Sequence, residues 1–222
     1  MRHYSGPADL PQFIPVFPLA GVLLLPRAQL PLNIFEPRYL AMVDFAMAGT
    51  RIVGMIQPRS GEETARHPAL AGVGCAGRIT TYQEVEDGRY MITLTGIARF
   101  RIARELDAPT PFRQVEADFQ PYVADFGADP SVEIARERLL AALRPYLDLR
   151  QMDTDWTSLK DAPVEALVSA LSMICPFEPN EKQALLEAPG TRERAEALIA
   201  LLEMANAATV QGTGTGGNRP LN

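Results

Sequence analysis

The chain has 222 residues, 47% hydrophobic and 22% charged, which is enough apolar material for one large globular domain or two small ones. Its net charge of -6 is uneven: residues 1–104 carry 11 Arg, no Lys and 8 acidic residues (+3), whereas residues 105–222 carry 10 basic and 19 acidic residues (-9). That excludes a uniformly basic nucleic-acid wrapper, and the two distant cysteines, Cys75 and Cys175, exclude a disulfide framework or a cysteine-rich metal site.

In chain order, residues 1–12 read as an N-terminal tail. Val16–Leu25 is apolar and preceded by Arg2, but Pro15 and Pro18 oppose the helical core of a leader peptide. No apolar segment approaches the ~20 residues that cross a bilayer, so no membrane partner is expected and the cytoplasm is the expected compartment. Pro37 suits the first turn of a helix striped by Tyr39, Leu40, Val43, Ala46 and Met47, with Gly49 ending it. Residues 51–57 are a short apolar run suited to a buried strand.

Two alternating strands follow, one through Ile79, Thr81, Gln83 and Val85, the next through Tyr90, Ile92 and Leu94. Asp87-Gly88 between them supplies a tight hairpin turn. Gly96 interrupts the second strand, as at a bulge or barrel corner. Alternation then resumes, placing Phe100 and Ile102 on one face and Arg99 and Arg101 on the other. A further strand is predicted over 114–119.

From about residue 129 the period becomes helical. Asp129-Pro130 opens a helix through Val132, Ala135, Leu139, Ala142 and Tyr146, which Pro145 should kink or end. Asp161 is the expected cap of a helix striped by Val164, Leu167, Val168, Leu171 and Ile174. Asn180 with Gln183 matches a capping box, and Thr191 caps a helix through Ala195, Leu198, Ile199, Leu202 and Ala205. The Gly- and Thr-rich end reads as a disordered tail. These signals give an α+β chain with a tail over 1–12, a β-rich part over 13–122, a helical part over 123–208 and a tail over 209–222.

Several segments resemble the N-terminal domain of Lon protease, in that family's order. They are Phe17-Pro-Leu-Ala-Gly-Val-Leu-Leu-Leu-Pro26, Leu32-Asn-Ile-Phe-Glu-Pro-Arg-Tyr-Leu40, Gly72-Val-Gly-Cys-Ala-Gly-Arg-Ile79, Leu94-Thr-Gly-Ile-Ala-Arg-Phe-Arg-Ile102 and Phe177-Glu-Pro-Asn-Glu-Lys-Gln-Ala-Leu-Leu-Glu187. The resemblance covers about residues 13–205. It implies a small PUA-like β-barrel with one inserted helix, followed by an α-helical bundle. It also implies recognition of polypeptide, since this domain helps Lon capture substrate.

The chain has no G-x-x-x-x-G-K-S/T phosphate loop, and its only lysines are Lys160 and Lys182. Nothing after residue 205 resembles the surroundings of Lon's Ser-Lys peptidase pair. The expectation is a stand-alone, non-catalytic module with no cofactor.

Other motifs carry little chemistry. Gly72 to Gly77 matches G-x-G-x-x-G, but the residues that follow favour a strand rather than the helix a dinucleotide site needs, and Arg99–Arg101 stand where an acid about 20 residues on would be expected. His3 and His67 lack a second ligand nearby, so no metal is expected. Glu36, Arg38 and Tyr39 form the polar centre of the second family segment and are candidate binding residues. Arg99 and Arg101, with Arg104 and Tyr82 or Tyr90, form a candidate basic stripe that would bind RNA, the alternative partner. Exposed apolar residues in 55–70 are a candidate site for extended polypeptide.

Overall fold

The computed structural model describes residues 4–59, 61, 67–127, 136–151 and 156–213. Two compact units emerge, Met1–Pro130 with Ser172–Glu187, and Ser131–Leu171 with Ala188–Asn222. The division is therefore not a single cut near residue 122: a segment from the helical half, containing helix α5 (Pro179–Glu187), belongs with the strands.

The first unit is built on six strands: β1 (Phe13–Pro18), β2 (Gln29–Ile34), β3 (Ile52–Ile56), β4 (Val73–Glu84), β5 (Tyr90–Glu105) and β6 (Arg113–Asp118). They are ordered β2-β5-β4-β3-β1-β6, and β6 also pairs with β5. That pairing closes the ring β5-β4-β3-β1-β6 into a barrel. β5 does two jobs along its length: Tyr90–Thr95 pairs with β2, and Arg101–Glu105 pairs with β6. The join is a bulge, since Gly77 faces Gly96 while Ala76 faces Ala98, which leaves Ile97 without an opposite number. A Cβ on Gly96 would stand 2.0 Å from the Leu25 carbonyl oxygen, so the corner tolerates no side chain.

Phe100 fills the barrel, fully buried among Ile14, Val16, Ile52, Ile56 and Val115. Burying such a side chain contributes roughly 1.5–3 kcal/mol. Of the glycines in the G-x-G-x-x-G match, Gly74 serves this packing. A Cβ on Gly74 would lie 2.6 Å from the Met55 carbonyl oxygen and 2.7 Å from the Phe100 ring. The motif lies at the start of a strand, not before a helix.

The N-terminal segment is not a loose tail from Tyr4 on. Leu10 joins the core, the Gln12 carbonyl accepts from Ala117 N–H, and the Tyr4 hydroxyl lies 3.1 Å from Arg78 Nη1, which donates to it. Helix α1 (Pro37–Ala48) runs over the predicted span, from Glu36 to Gly49. The hairpin turns at Gly88 with φ +79°, as its Asp-Gly pair predicts. A 3-10 stretch, Gln120–Phe126, follows β6.

The second unit contains α2 (Arg136–Leu149), α3 (Trp156–Asp161), most of α4 (Val164–Ile174) and α6 (Thr191–Thr213). Val132 and Ala135 lie outside the described residues; Leu139, Ala142 and Tyr146 are buried, and α2 continues past Pro145 to Leu149. Asn206 Nδ2 donates to the Ala142 carbonyl at 3.0 Å, tying α6 to α2. Asp161 ends α3 instead of capping α4, and Ile174, at the last position of α4, is exposed. The last helix carries its expected buried stripe and runs to Thr213, into the stretch read as a tail.

The capping box of α5 is shifted by two residues. Glu181 Oε2 accepts from Glu178 N–H at 2.8 Å, and Pro179 takes the first helical position, where its missing N–H costs nothing. Gln183 is thereby free to bond elsewhere.

Candidate functional site

A cavity of about 470 Å³ in the first unit opens where β1, β2 and α1 meet. Chain direction explains its composition. β1 ends at Phe17-Pro18, and Pro18 lacks an N–H to continue the strand; β2 ends at Ile34, and Phe35-Glu36 turns the backbone into α1. Phe112 and Arg113 at the start of β6, with Pro58 and Pro68, complete the wall. The lining is aromatic and proline-rich with a few polar groups, as is usual of ligand-binding concavities.

Tyr39 is the buried centre of the wall. Its ring lies 4.3 Å from that of Phe17, and the Arg38 guanidinium sits 4.5 Å above it. Burial pushes the Tyr39 hydroxyl above its usual pKa; Arg38 opposes that shift, Glu36 adds to it, and Arg113 opposes it. At neutral pH the group is an uncharged donor and acceptor.

The charges at the rim cancel locally. Glu36 accepts from Arg38 Nε at 2.9 Å, and both side chains are about half exposed. Arg113 grips both oxygens of Glu105, at 2.6 and 2.5 Å, and donates a third bond to the Pro68 carbonyl at 2.7 Å. Phe35 stands at the mouth, 63% exposed. β2, which supplies this wall, lies at the end of the strand order, and its outer edge is unpaired among the described residues. Pro31 in its middle blunts that edge without abolishing it.

Three of the five sequence-predicted residues, Glu36, Arg38 and Tyr39, therefore come together at this cavity. The other two lie elsewhere. Arg99 is 3% exposed and donates from its backbone N–H and Nε to Asp125 Oδ2, from Nη2 to Asp125 Oδ1 and from Nη1 to the Leu186 carbonyl. Arg101 is exposed and paired with Asp118 at 2.6 Å, and Arg104 pairs with Glu116 at 2.5 Å. Tyr82 and Tyr90 stack edge to face at the hairpin end of β5, away from these arginines.

Phe17, Phe35, Phe112 and Arg113 went unread in the sequence. The signal at Phe35 was available, an aromatic wedged between a strand end and Glu36-Pro37. The stretch 55–70 contributes Pro58, His67 and Pro68. Among the described residues no cluster of His, Cys, Asp and Glu is placed to hold a metal, and no helix is long and apolar enough to cross a membrane.

Comparison with known proteins adds a family. A model of the ATP-dependent protease La (LON) substrate-binding domain matches residues 14–204. Lon protease 2 of Myxococcus xanthus is 26% identical over 205 residues, covering 87% of this chain and 24% of the relative. Lon protease of Roseiflexus castenholzii is 26% identical, covering 90% of this chain and 25% of the relative. The chain thus spans about a quarter of the length of these curated relatives. Among solved structures, the Lon N-terminal domain protein from Xanthomonas campestris aligns with TM-score 0.59 and 25% identity over 85% of this chain and 97% of its own. The N-terminal domain of Mycobacterium avium complex Lon protease aligns with TM-score 0.56 and 17% identity over 86% and 97%, a likeness of fold.

Proposed function

The chain belongs to the Lon substrate-binding domain family, and from that premise we propose that it recognises polypeptide without catalysing a reaction on it. The bound element is an extended, apolar, uncharged segment. One observation carries this reading: the aromatic and proline-lined cavity is lined in part by β2, the strand whose outer edge is unpaired among the described residues, so a backbone edge and side-chain burial lie on the same strand. The cancelled charges of Glu36 with Arg38 and Arg113 with Glu105 favour a segment without charge of its own.

The nucleic-acid reading loses its footing at the arginines. Arg99, Arg101 and Arg104 each hold a carboxylate, so the stripe presents little net positive charge to phosphates. Cys75 and Cys175 are both buried and are not joined in a disulfide, in keeping with a reducing cytoplasm as the proposed setting.

The test is a fluorescence-anisotropy titration with labelled, reduced and carboxymethylated α-lactalbumin, a permanently unfolded chain, beside a single-stranded RNA of mixed sequence. The reading predicts saturable polypeptide binding that changes little between 50 and 300 mM salt. Binding of RNA alone, weakening steeply with salt, would replace it with the alternative.

A further inference from the structure

Gln57 follows the last residue of β3 and is 2% exposed, yet it is polar and lies outside the aromatic lining of the cavity. Its amide uses both donors and its oxygen. Oε1 accepts from Gly21 N–H at 2.9 Å, while Nε2 donates to the Pro179 carbonyl at 3.0 Å and to Gln183 Oε1 at 3.1 Å. Its backbone carbonyl accepts from Ala71 N–H at 2.9 Å. Gln183 in turn donates to the Val73 carbonyl at 3.1 Å and to Glu187 at 2.7 Å.

Each partner has a place in the cavity's construction. Gly21 closes the loop that sets Leu19 and Ala20 in one wall, and Ala71 closes the return that carries His67 and Pro68 in another. Pro179 and Gln183 open and stiffen α5. A primary amide can accept at one end and donate twice at the other, which this junction requires and a carboxylate or hydroxyl does not supply. A smaller cavity of about 250 Å³, lined by Gln57, Arg59, Gly72, Pro179, Gln183 and Glu187, runs along the same junction.

We infer that Gln57 is the positioning residue of the polypeptide pocket, holding two of its walls to α5 so that occupancy of the pocket is registered at α5. The inference rests on the proposed reading of the pocket. Coupling of this kind is reciprocal: whatever shifts α5 alters the pocket's affinity by the same factor. The family segment Phe177–Glu187 thereby gains a task, since it holds the only helix seated on the Gln57 amide among the described residues.

The experiment combines titration with carboxymethylated α-lactalbumin and amide hydrogen exchange of α5, on the full chain. In the unmutated protein, saturating probe slows exchange in α5. Gln57→Leu keeps the side chain's bulk but strands Gly21 N–H and the Pro179 carbonyl; it weakens probe binding at least tenfold and removes the α5 response. Phe35→Ala weakens binding as well but, once saturated, still protects α5. Should Gln57→Leu fail to fold, Gln183→Leu removes one arm of the junction from a half-buried site and gives about a threefold loss with a diminished α5 response. Binding by Gln57→Leu within twofold of the unmutated protein, or α5 exchange indifferent to saturating probe, overturns the inference. Unchanged binding by Phe35→Ala has a different signature and overturns the pocket reading itself.

Discussion

Arg99 and Asp125 form a two-pronged ion pair inside the first unit: Nε and Nη2 of the guanidinium each meet a carboxylate oxygen, at 2.9 and 2.7 Å. The pair ties the barrel strand β5 to the 3-10 stretch Gln120–Phe126, and the Tyr122 ring lies 4.7 Å under the guanidinium. Burial disfavours the Arg99 charge, but the hydrogen bonds and attraction of Asp125 outweigh it. Arg99 is thereby a fastening of the fold. Asp125→Ala leaves the guanidinium buried without its partner and should cost about 3–5 kcal/mol in urea denaturation.

Gly74 should be equally unforgiving. A Cβ there has backbone on one side, the Met55 carbonyl oxygen, and the Phe100 ring on the other, neither of which can turn away. Gly74→Ala should therefore lower stability by about 1–3 kcal/mol, measured by thermal or urea unfolding. Gly72→Ala, two residues earlier, meets open space and should be close to neutral.

Asp118 offers a pH test. The Gln120 backbone N–H and then Arg101 hold its carboxyl below the ordinary value of 3.8. A carboxylate with a lowered folded pKa contributes stability above its unfolded pKa, and that contribution fades as pH falls through the folded value. The melting temperature of Asp118→Asn should thus sit below that of the unmutated protein from pH 7 down to about 5 and converge with it below about pH 4. A gap that widens in acid would contradict this assignment.

Much of the fold could be read from local pattern. The Asp87-Gly88 hairpin, the bulge at Gly96 and the span of α1 all announce themselves within a few residues, because turn chemistry and helix stripes are local properties. Barrel closure is not local: β6 reaches both β1 and β5, and no spacing in the chain signals that pairing. Alternation places Arg99 on the face opposite Phe100, but the residue that covers it and leaves it buried, Asp125, arrives from a stretch with no periodic signal. Gln57 reads as the polar end of a strand, and only the return of α5 turns it into a junction. The pocket was half legible for the same reason. Glu36, Arg38 and Tyr39 are one segment, whereas Phe112 and Arg113 come from the far end of the barrel's sequence.

Phe35 gives the simplest binding variant. So exposed a side chain contributes little to folding, and Phe35→Ala should change stability by no more than about 0.5 kcal/mol. Loss of an aromatic anchor at the mouth of a pocket should nonetheless weaken polypeptide binding by about tenfold, read by anisotropy titration. Arg104→Ala, on the paired stripe of β5, should leave that affinity unchanged.

If polypeptide lies at the Phe17–Tyr39 pocket, site-specific photo-crosslinking captures that contact directly. Benzoylphenylalanine replaces Phe35 in one variant and Arg104 in another, and each is irradiated with labelled, carboxymethylated α-lactalbumin. The account predicts a strong crosslink from position 35, competed by unlabelled probe, and none from position 104. Crosslinking from position 104 with none from position 35 would contradict it.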